Sequence, residues 1–164
     1  MPITSDDPML NSTGKAPERV VVRSMSPGDI ETVLSIQAVC PEIAQWSMWD
    51  YQRVAAGEMA GWAAEEKGEV AGFLVARRVA SDIEILNFAV RPASRRREIG
   101  AALLKTALQW GRSFKAEKAL LEVRASNFPA IRFYQKHHFQ VAGRRPSYYT
   151  APVEDALLLT APFD

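Results

Sequence analysis

A mixed α/β domain, with helices layered against one sheet, follows from three features of the chain. Short β-branched and aromatic runs are interleaved with segments whose apolar residues recur at helical spacing. A glycine-centred hairpin signal and well-placed prolines punctuate these runs. The length, 164 residues with 48% hydrophobic, is enough to bury one substantial core and lies within the usual single-domain range.

Val20, Val21 and Val22 form the first strand signal. Ser26 followed by Pro27 supplies an N-cap and a first-turn residue. Ile30, Val33, Leu34 and Ala38 then continue an apolar helix face up to Pro41, which ends it. The segment around Trp46 and Ser47 again reads as loop, cap and helix to about residue 56, and Gly57 and Gly61 break the pattern before Trp62. Strands at 62–66 and 70–79 flank Lys67-Gly68-Glu69, a turn signature. The run EILNFAV at 84–90 is a further strand, stopped at Arg91-Pro92 because proline cannot donate to a ladder. From Ile99, the residues Leu103, Ala107, Trp110 and Phe114 repeat at helical spacing, with Leu104, Leu108 and Gly111 widening the apolar face. Residues 119–124 are expected as a strand, 127–136 as a helix, and 139–142 and 156–160 as two closing strands.

Twenty basic against nineteen acidic residues leave a formal net charge of +1, so direct nucleic-acid binding and membrane association are not expected. Cys40 is the only cysteine, which excludes an intrachain disulfide and a Cys-rich zinc site and fits a reducing, cytoplasmic setting. Residues 1–18 show no secretion signal and no run long enough to span a bilayer; they read as a flexible tail before a domain over 19–164. Asn11-Ser12-Thr13 matches a glycosylation acceptor, an accidental match without a secretion signal. No internal repeat is evident.

The richest segment is the unit EILNFAVRPASRRREIGAALL, where four arginines among residues 91–97 precede a helix start. Free N–H groups, the helix dipole and arginine forks together favour a diphosphate there. An isolated arginine run is more often a solvated turn; its place before an apolar helix favours the anion site. This order, followed by Gly100, an apolar helix, LLEVRASN and AIRFYQKHHF, resembles the GCN5-related N-acetyltransferases over residues 20 to about 160. More narrowly, LEVRASN with AI-x-x-Y, Arg144-Arg145, Tyr148-Tyr149 and Glu154-Asp155-Ala156 resembles the bacterial ribosomal-protein-alanine (RimI-type) enzymes.

The resemblance implies a mainly antiparallel central sheet, flanked by helices, that splays between two parallel strands to admit acetyl-coenzyme A. By position, Phe88, Ala89 and Val90 would meet the acetyl-pantetheine arm, and Arg96, Arg97, Glu98, Ile99, Gly100 and Ala101 would wrap the pyrophosphate. Arg95 would be the first signature position of that loop, and Asn127 would contact the arm. Glu98 stands where the family's first loop glycine belongs, adding a Cβ and a negative charge beside a diphosphate. Its alternative role is to stabilise a helix start.

For chemistry, the resemblance makes Glu122 the general base, through water, and Tyr134 the general acid for the coenzyme A sulfur. Alternation puts Glu122 on the face opposite Leu121 and Val123; its alternative is a strand carboxylate paired with Arg124. Tyr134 lies about two turns past Asn127, so both can face one cleft. The alternatives are a buried tyrosine beside Ile131 and, for Asn127, a helix N-cap with Pro129 in the first turn. The adjacent His137 and His138 do not share a helix face, so no metal is assigned; His138 reads as a left-handed helix end. Cys40 is not expected to carry the acetyl group.

The resemblance places Tyr148 and Tyr149 beside the acceptor and Trp46 on the opposite wall, in a Trp46-Ser47 segment like that subgroup's. A surface aromatic pair packing the final hairpin is the alternative for the tyrosines. The implied acceptor is a protein N-terminal amine, with alanine of a ribosomal protein first. A small-molecule amine acetyltransferase or a non-catalytic acyl-coenzyme A-binding module are the competing readings.

Overall fold

The computed structural model describes residues 19–95 and 98–164. The expected tail at 1–18 and two loop arginines, Arg96 and Arg97, lie outside the described residues. A seven-stranded sheet forms the centre, in the order β1-β2-β3-β4-β5-β7-β6, with β1 Val21–Ser24, β2 Ala60–Glu66, β3 Glu69–Val79, β4 Asp82–Val90, β5 Lys118–Arg124, β6 Gln140–Tyr149 and β7 Glu154–Pro162. Every neighbouring pair is antiparallel except β4 with β5. Helices α1 Ile30–Ala38 and α2 Met48–Ala55 cover one face, and α3 Ile99–Ser113 and α4 Phe128–Lys136 cover the other.

Alternation on β3 separates the two cores. Leu74 and Ala76 pack with Leu103, Leu104 and Ala107 of α3, whereas Phe73 and Val75 pack with Val33 and Ile36 of α1 and with Tyr51 and Val54 of α2. Burial of each large aliphatic or aromatic side chain contributes about 1.5–3 kcal/mol. Helix entry follows the capping signals. The Asp29 carboxylate accepts from the backbone N and Oγ of Ser26 at 2.8 and 3.0 Å and pairs with Arg23. The Asp50 carboxylate does the same for Ser47 at the start of α2.

The described elements follow the expected order, with differences at strand ends. Gly61 does not break the chain before a strand but lies inside β2. The strand expected at 139–142 continues to Tyr149 through Pro146, which is tolerated because β6 is the sheet edge and pairing skips from Arg145 to Tyr149. Asp82 and Ile83 join β4 because they pair with Val79 and Arg78 of β3, and Ile83 also pairs with Ala119 of β5.

A bulge is the feature that shapes the site. Across β3 and β4, Val75 pairs with Asn87 but Ala76 pairs with Ile85, so Leu86 is the extra residue on β4. Its insertion reverses the facing of the strand: Ile83 and Ile85 point to the α3 core, while Asn87 turns to Tyr51 and Ala89 to the α1–α2 core. Among the described residues, no helix is long and apolar enough to cross a membrane.

Gly61 allows α2 to dock, since an added Cβ would overlap Val54 Cγ1. Gly61→Ala is expected to lower stability by about 1–3 kcal/mol, read by urea denaturation with an unchanged m-value.

Candidate active site

The two parallel strands stay together only at their starts. Ile83 pairs with Ala119 and Glu84 with Leu120, and beyond these the strands diverge. The later half of β4 still pairs with β3, through Leu74↔Phe88, Phe73↔Ala89 and Gly72↔Val90. Its other edge therefore presents backbone groups without a ladder partner among the described residues. A cleft of about 860 Å³ opens at this parting, lined by Phe88, Ala89 and Val90, by Gly100 and Ala101 of α3, and by Asn127 and Tyr134 around α4.

The mouth of the cleft is the start of α3. Arg95 lines it, but its guanidinium is engaged with the segment after α1: it donates to Val90 O at 3.1 Å, Cys40 Sγ at 3.3 Å and Glu42 Oε1 at 2.7 Å. Burial pushes the Cys40 thiol above its ordinary pKa, which suits a packing role. Glu98 also lines the cleft and holds φ 64° and ψ 6°, the left-handed geometry a glycine adopts freely. Its side chain makes no cap hydrogen bond to the helix. Ile99 turns its side chain into the core, leaving only backbone for a ligand. Gly100 brings the helix close to Phe88 and Phe133, whose rings would sit about 3.5 Å from an added Cβ.

Tyr134 is held at the inner end of the cleft by the way α4 stops. His138 takes φ 71°; its N–H donates to Gln135 O at 3.1 Å, and Phe139 N–H donates to Tyr134 O at 3.0 Å, closing a Schellman turn. The Phe139 ring then packs on Tyr134 at 5.5 Å between centroids, with Phe88 and Phe133 on other sides. Burial, and secondarily Tyr149 nearby, push the Tyr134 phenol well above its ordinary range, so it stays protonated. Asn127 caps α4 through Oδ1, which accepts from Ala130 N at 3.3 Å, and also lines the cleft. The cap and the cleft position thus coincide. His137 lines the cleft against Phe133.

Glu122 lies on the other side of the sheet. Leu121 and Val123 enter the α3 core, and Glu122 points away from it. It pairs with Arg145 of β6, at 2.9 Å, and not with Arg124. Arg124 instead bonds Glu154 at 3.2 Å and lies over the Tyr149 ring at 4.4 Å. Glu154 also accepts from Ser126 N at 2.7 Å, tying the β6–β7 turn to the residue before Asn127.

Tyr148 and Tyr149 gather around this carboxylate. A side-chain hydrogen bond to Glu122, then burial, raises the Tyr148 phenol, and burial followed by the charge of Glu122 pushes Tyr149 up to about 12. The Tyr148 ring, half exposed, stands edge-on to Tyr149 with Arg145 over its other side. Trp46 lies on the same side of the sheet, yet its ring packs on Tyr51 at 5.5 Å rather than on either tyrosine. A buried polar network fixes its backbone: Gln37 accepts from Trp46 N and donates to Trp46 O, Tyr51 donates to Gln37, and Asn87 donates to Tyr51 and to Ala44 O.

Residues that sequence reasoning missed are Arg145 as the partner of Glu122, and Glu42, Arg132, Phe133, Lys136 and His137 as cleft lining. Arg132 and Phe133 each lie one turn before Lys136 on a helix already expected to face the cleft, so their spacing was the available signal. The arrangement can hold an extended ligand with an anionic end at the α3 terminus. It offers a protonated phenol inside the parting and a carboxylate on the opposite face.

Residues 30–139 match the acetyltransferase (GNAT) family. A Bacillus subtilis protein, provisionally named a ribosomal protein bS18-alanine N-acetyltransferase, is 33% identical over 143 residues, covering 86% of this chain and 94% of that one. An N-alpha-acetyltransferase of Sulfurisphaera tokodaii is 35% identical over 118 residues, 64% of this chain and 70% of its own. The crystal structure of the Escherichia coli ribosomal-protein-S18-alanine N-acetyltransferase superposes with a TM-score of 0.76 at 26% identity, over 88% of this chain and 94% of that one. The splayed sheet, the length of the match and these relatives agree: the chain belongs to the GNAT family and is an acetyl-coenzyme A-dependent N-acetyltransferase.

Proposed function

We propose that the chain acetylates the N-terminal α-amino group of a protein, with alanine of a ribosomal protein as the first acceptor to test, and that it does so in the cytoplasm. The observation that carries this reading is the pairing of groups at the strand parting: protonated Tyr134 on one face and the Glu122 carboxylate, ringed by Tyr148 and Tyr149, on the other.

The cleft fits the co-substrate. The unpaired edge of Phe88, Ala89 and Val90 offers an extended pantetheine arm the hydrogen bonds of a missing strand. At the mouth, the backbone N–H groups from Glu98 to Ala101 begin a 15-residue helix and favour a diphosphate. Arg95 braces this loop from outside, and Asn127 holds the start of α4 beside the arm. Acetyl-coenzyme A supplies the thioester-bound acetyl group. Glu122 accepts, through water, the proton that the amine sheds, and Tyr134 Oη gives its proton to the departing sulfur. The Tyr148 and Tyr149 hydroxyls beside Glu122 orient the incoming amine, while Trp46 shapes the far side of the same face.

An α-amino group with a pKa of about 7.7–8.0 is partly neutral near pH 7, whereas lysine, at about 10.4, needs far more help from a base. A single carboxylate suits the former. The relatives named for bS18 alanine and for N-alpha acetylation support the same acceptor class.

Glu122→Gln and Tyr134→Phe are each expected to lower kcat/KM by about 10²–10⁴-fold toward the best peptide, measured by thiol release. Unchanged turnover would remove these assignments, and turnover of polyamines but not peptides would move the acceptor to small amines. Because Tyr134 titrates above its ordinary value of about 10, wild-type kcat/KM should rise as the amine deprotonates and show no alkaline fall below about pH 9.5. Glu98→Gly removes a left-handed glutamate and its charge, so it is expected to stabilise the fold by about 1 kcal/mol and to tighten acetyl-coenzyme A binding. Thermal denaturation and calorimetry read the two effects, and equal or weaker binding would refute the second.

A further inference from the structure

The outer rim of the cleft carries two cations with no assigned role. Arg132 and Lys136 sit one turn apart on α4, both exposed and both lining the cleft. Among the described residues, three other arginines near the site are already matched by a carboxylate: Arg95 by Glu42, Arg124 by Glu154 and Arg145 by Glu122. Neither Arg132 nor Lys136 has an acidic or ring partner among the described residues. Lys136 also complements the C-terminal end of the α4 dipole, but Arg132, in the middle of the helix, has no such reason to be there.

Their position relative to the mouth is set by Phe133. Its ring approaches the first turn of α3 at Gly100, so the two cations flank the residue that bridges α4 to the diphosphate-binding helix start. A ligand that runs outward from Tyr134 and leaves its diphosphate at α3 must carry whatever follows past this rim.

The geometry points to Arg132 and Lys136 as the seat of the terminal phosphate monoester on the nucleotide end of the acyl carrier, making this rim the element that selects coenzyme A over its dephosphorylated form. A monoester carries close to two negative charges at neutral pH. Two cations at i and i+4, unneutralised and open to solvent, complement it through a guanidinium fork and an ammonium. The backbone groups of α3 serve the diphosphate, whose charge is shared by all forms of the nucleotide. This inference rests on the proposed acetyl-coenzyme A site, and its test separates the two.

The full chain is titrated by calorimetry with acetyl-coenzyme A, acetyl-dephospho-coenzyme A and S-acetylpantetheine. Wild type is expected to bind acetyl-coenzyme A about tenfold more tightly than the dephospho form, with a preference that shrinks as salt rises. Arg132→Gln with Lys136→Gln should bring that ratio close to one while leaving dephospho binding within about twofold, and Arg132→Lys should restore part of it. Equal wild-type affinities for the two nucleotide forms would overturn the inference and leave the acetyl-coenzyme A site standing. So would a double variant that weakens both forms equally, since its cations would then serve the diphosphate. Wild type that binds no thioester would overturn both.

Discussion

The site exists because two parallel strands cannot remain paired. β4 and β5 share only Ile83↔Ala119 and Glu84↔Leu120 before they separate, and a sheet that opens must leave backbone groups without partners. The cause lies on β4, where the extra residue Leu86 bends the strand and turns Asn87 toward the α1–α2 face. The later half of β4 follows β3, whereas β5 stays with β7 along its whole length from Lys118 to Arg124. Each strand stays paired on its outer side, apart from the bulge at Leu86, and the deficit is concentrated in one wedge. Such a wedge is costly when empty of partners and selective for an extended chain that can supply them.

Two different devices hold the walls of this wedge. On the α1–α2 side, Asn87, Tyr51 and Gln37 form a buried hydrogen-bonded chain that clamps the backbone of Ala44 and Trp46. Burying so many polar groups is tolerable because the side-chain amides find partners within the chain, and satisfied networks of this kind favour one arrangement. On the α3–α4 side the restraint is apolar. The Schellman turn after α4 fixes the carbonyl of Tyr134, and Phe139, Phe88 and Phe133 enclose its ring. A phenol held in that surrounding has little freedom and a raised pKa, so proton retention follows from the packing.

Much of this was legible in the sequence, and the exceptions have physical causes. Helices announced themselves through caps such as Ser47 and through apolar spacing, which depend on neighbouring residues alone. Glu122 was separable from Leu121 and Val123 by alternation. Its partner was not, because Arg145 reaches it from another strand through a register that no local pattern encodes. The length of β6 was hidden for a related reason: Pro146 argues against a strand unless the strand is known to lie at an edge, and edge position is a property of the whole sheet. The bulge at Leu86 likewise left no trace in EILNFAV, since both facings of that run are apolar enough to be buried.

Glu98 and His138 share a property that bears on how the chain departs from its family's pattern. Each occupies a left-handed position, Glu98 at the start of α3 where the resemblance expects glycine, and His138 at the end of α4. A non-glycine residue pays roughly 1–2 kcal/mol for that conformation, so the surroundings must impose it. At His138 the two Schellman hydrogen bonds do so. At Glu98 the carbonyl is committed to Ala102 N at 3.0 Å, and Ile99 beyond it is anchored in the core, which leaves the backbone little alternative. The N–H groups that follow Glu98 therefore point where a glycine would have let them point. Glu98 thus adds a charge at the mouth of the cleft while its own backbone keeps a left-handed geometry open to glycine. Its effect on an anionic ligand is thus electrostatic, and electrostatic repulsion at an exposed residue is weak and screened by salt, so the shape of the site can survive the loss of the glycine.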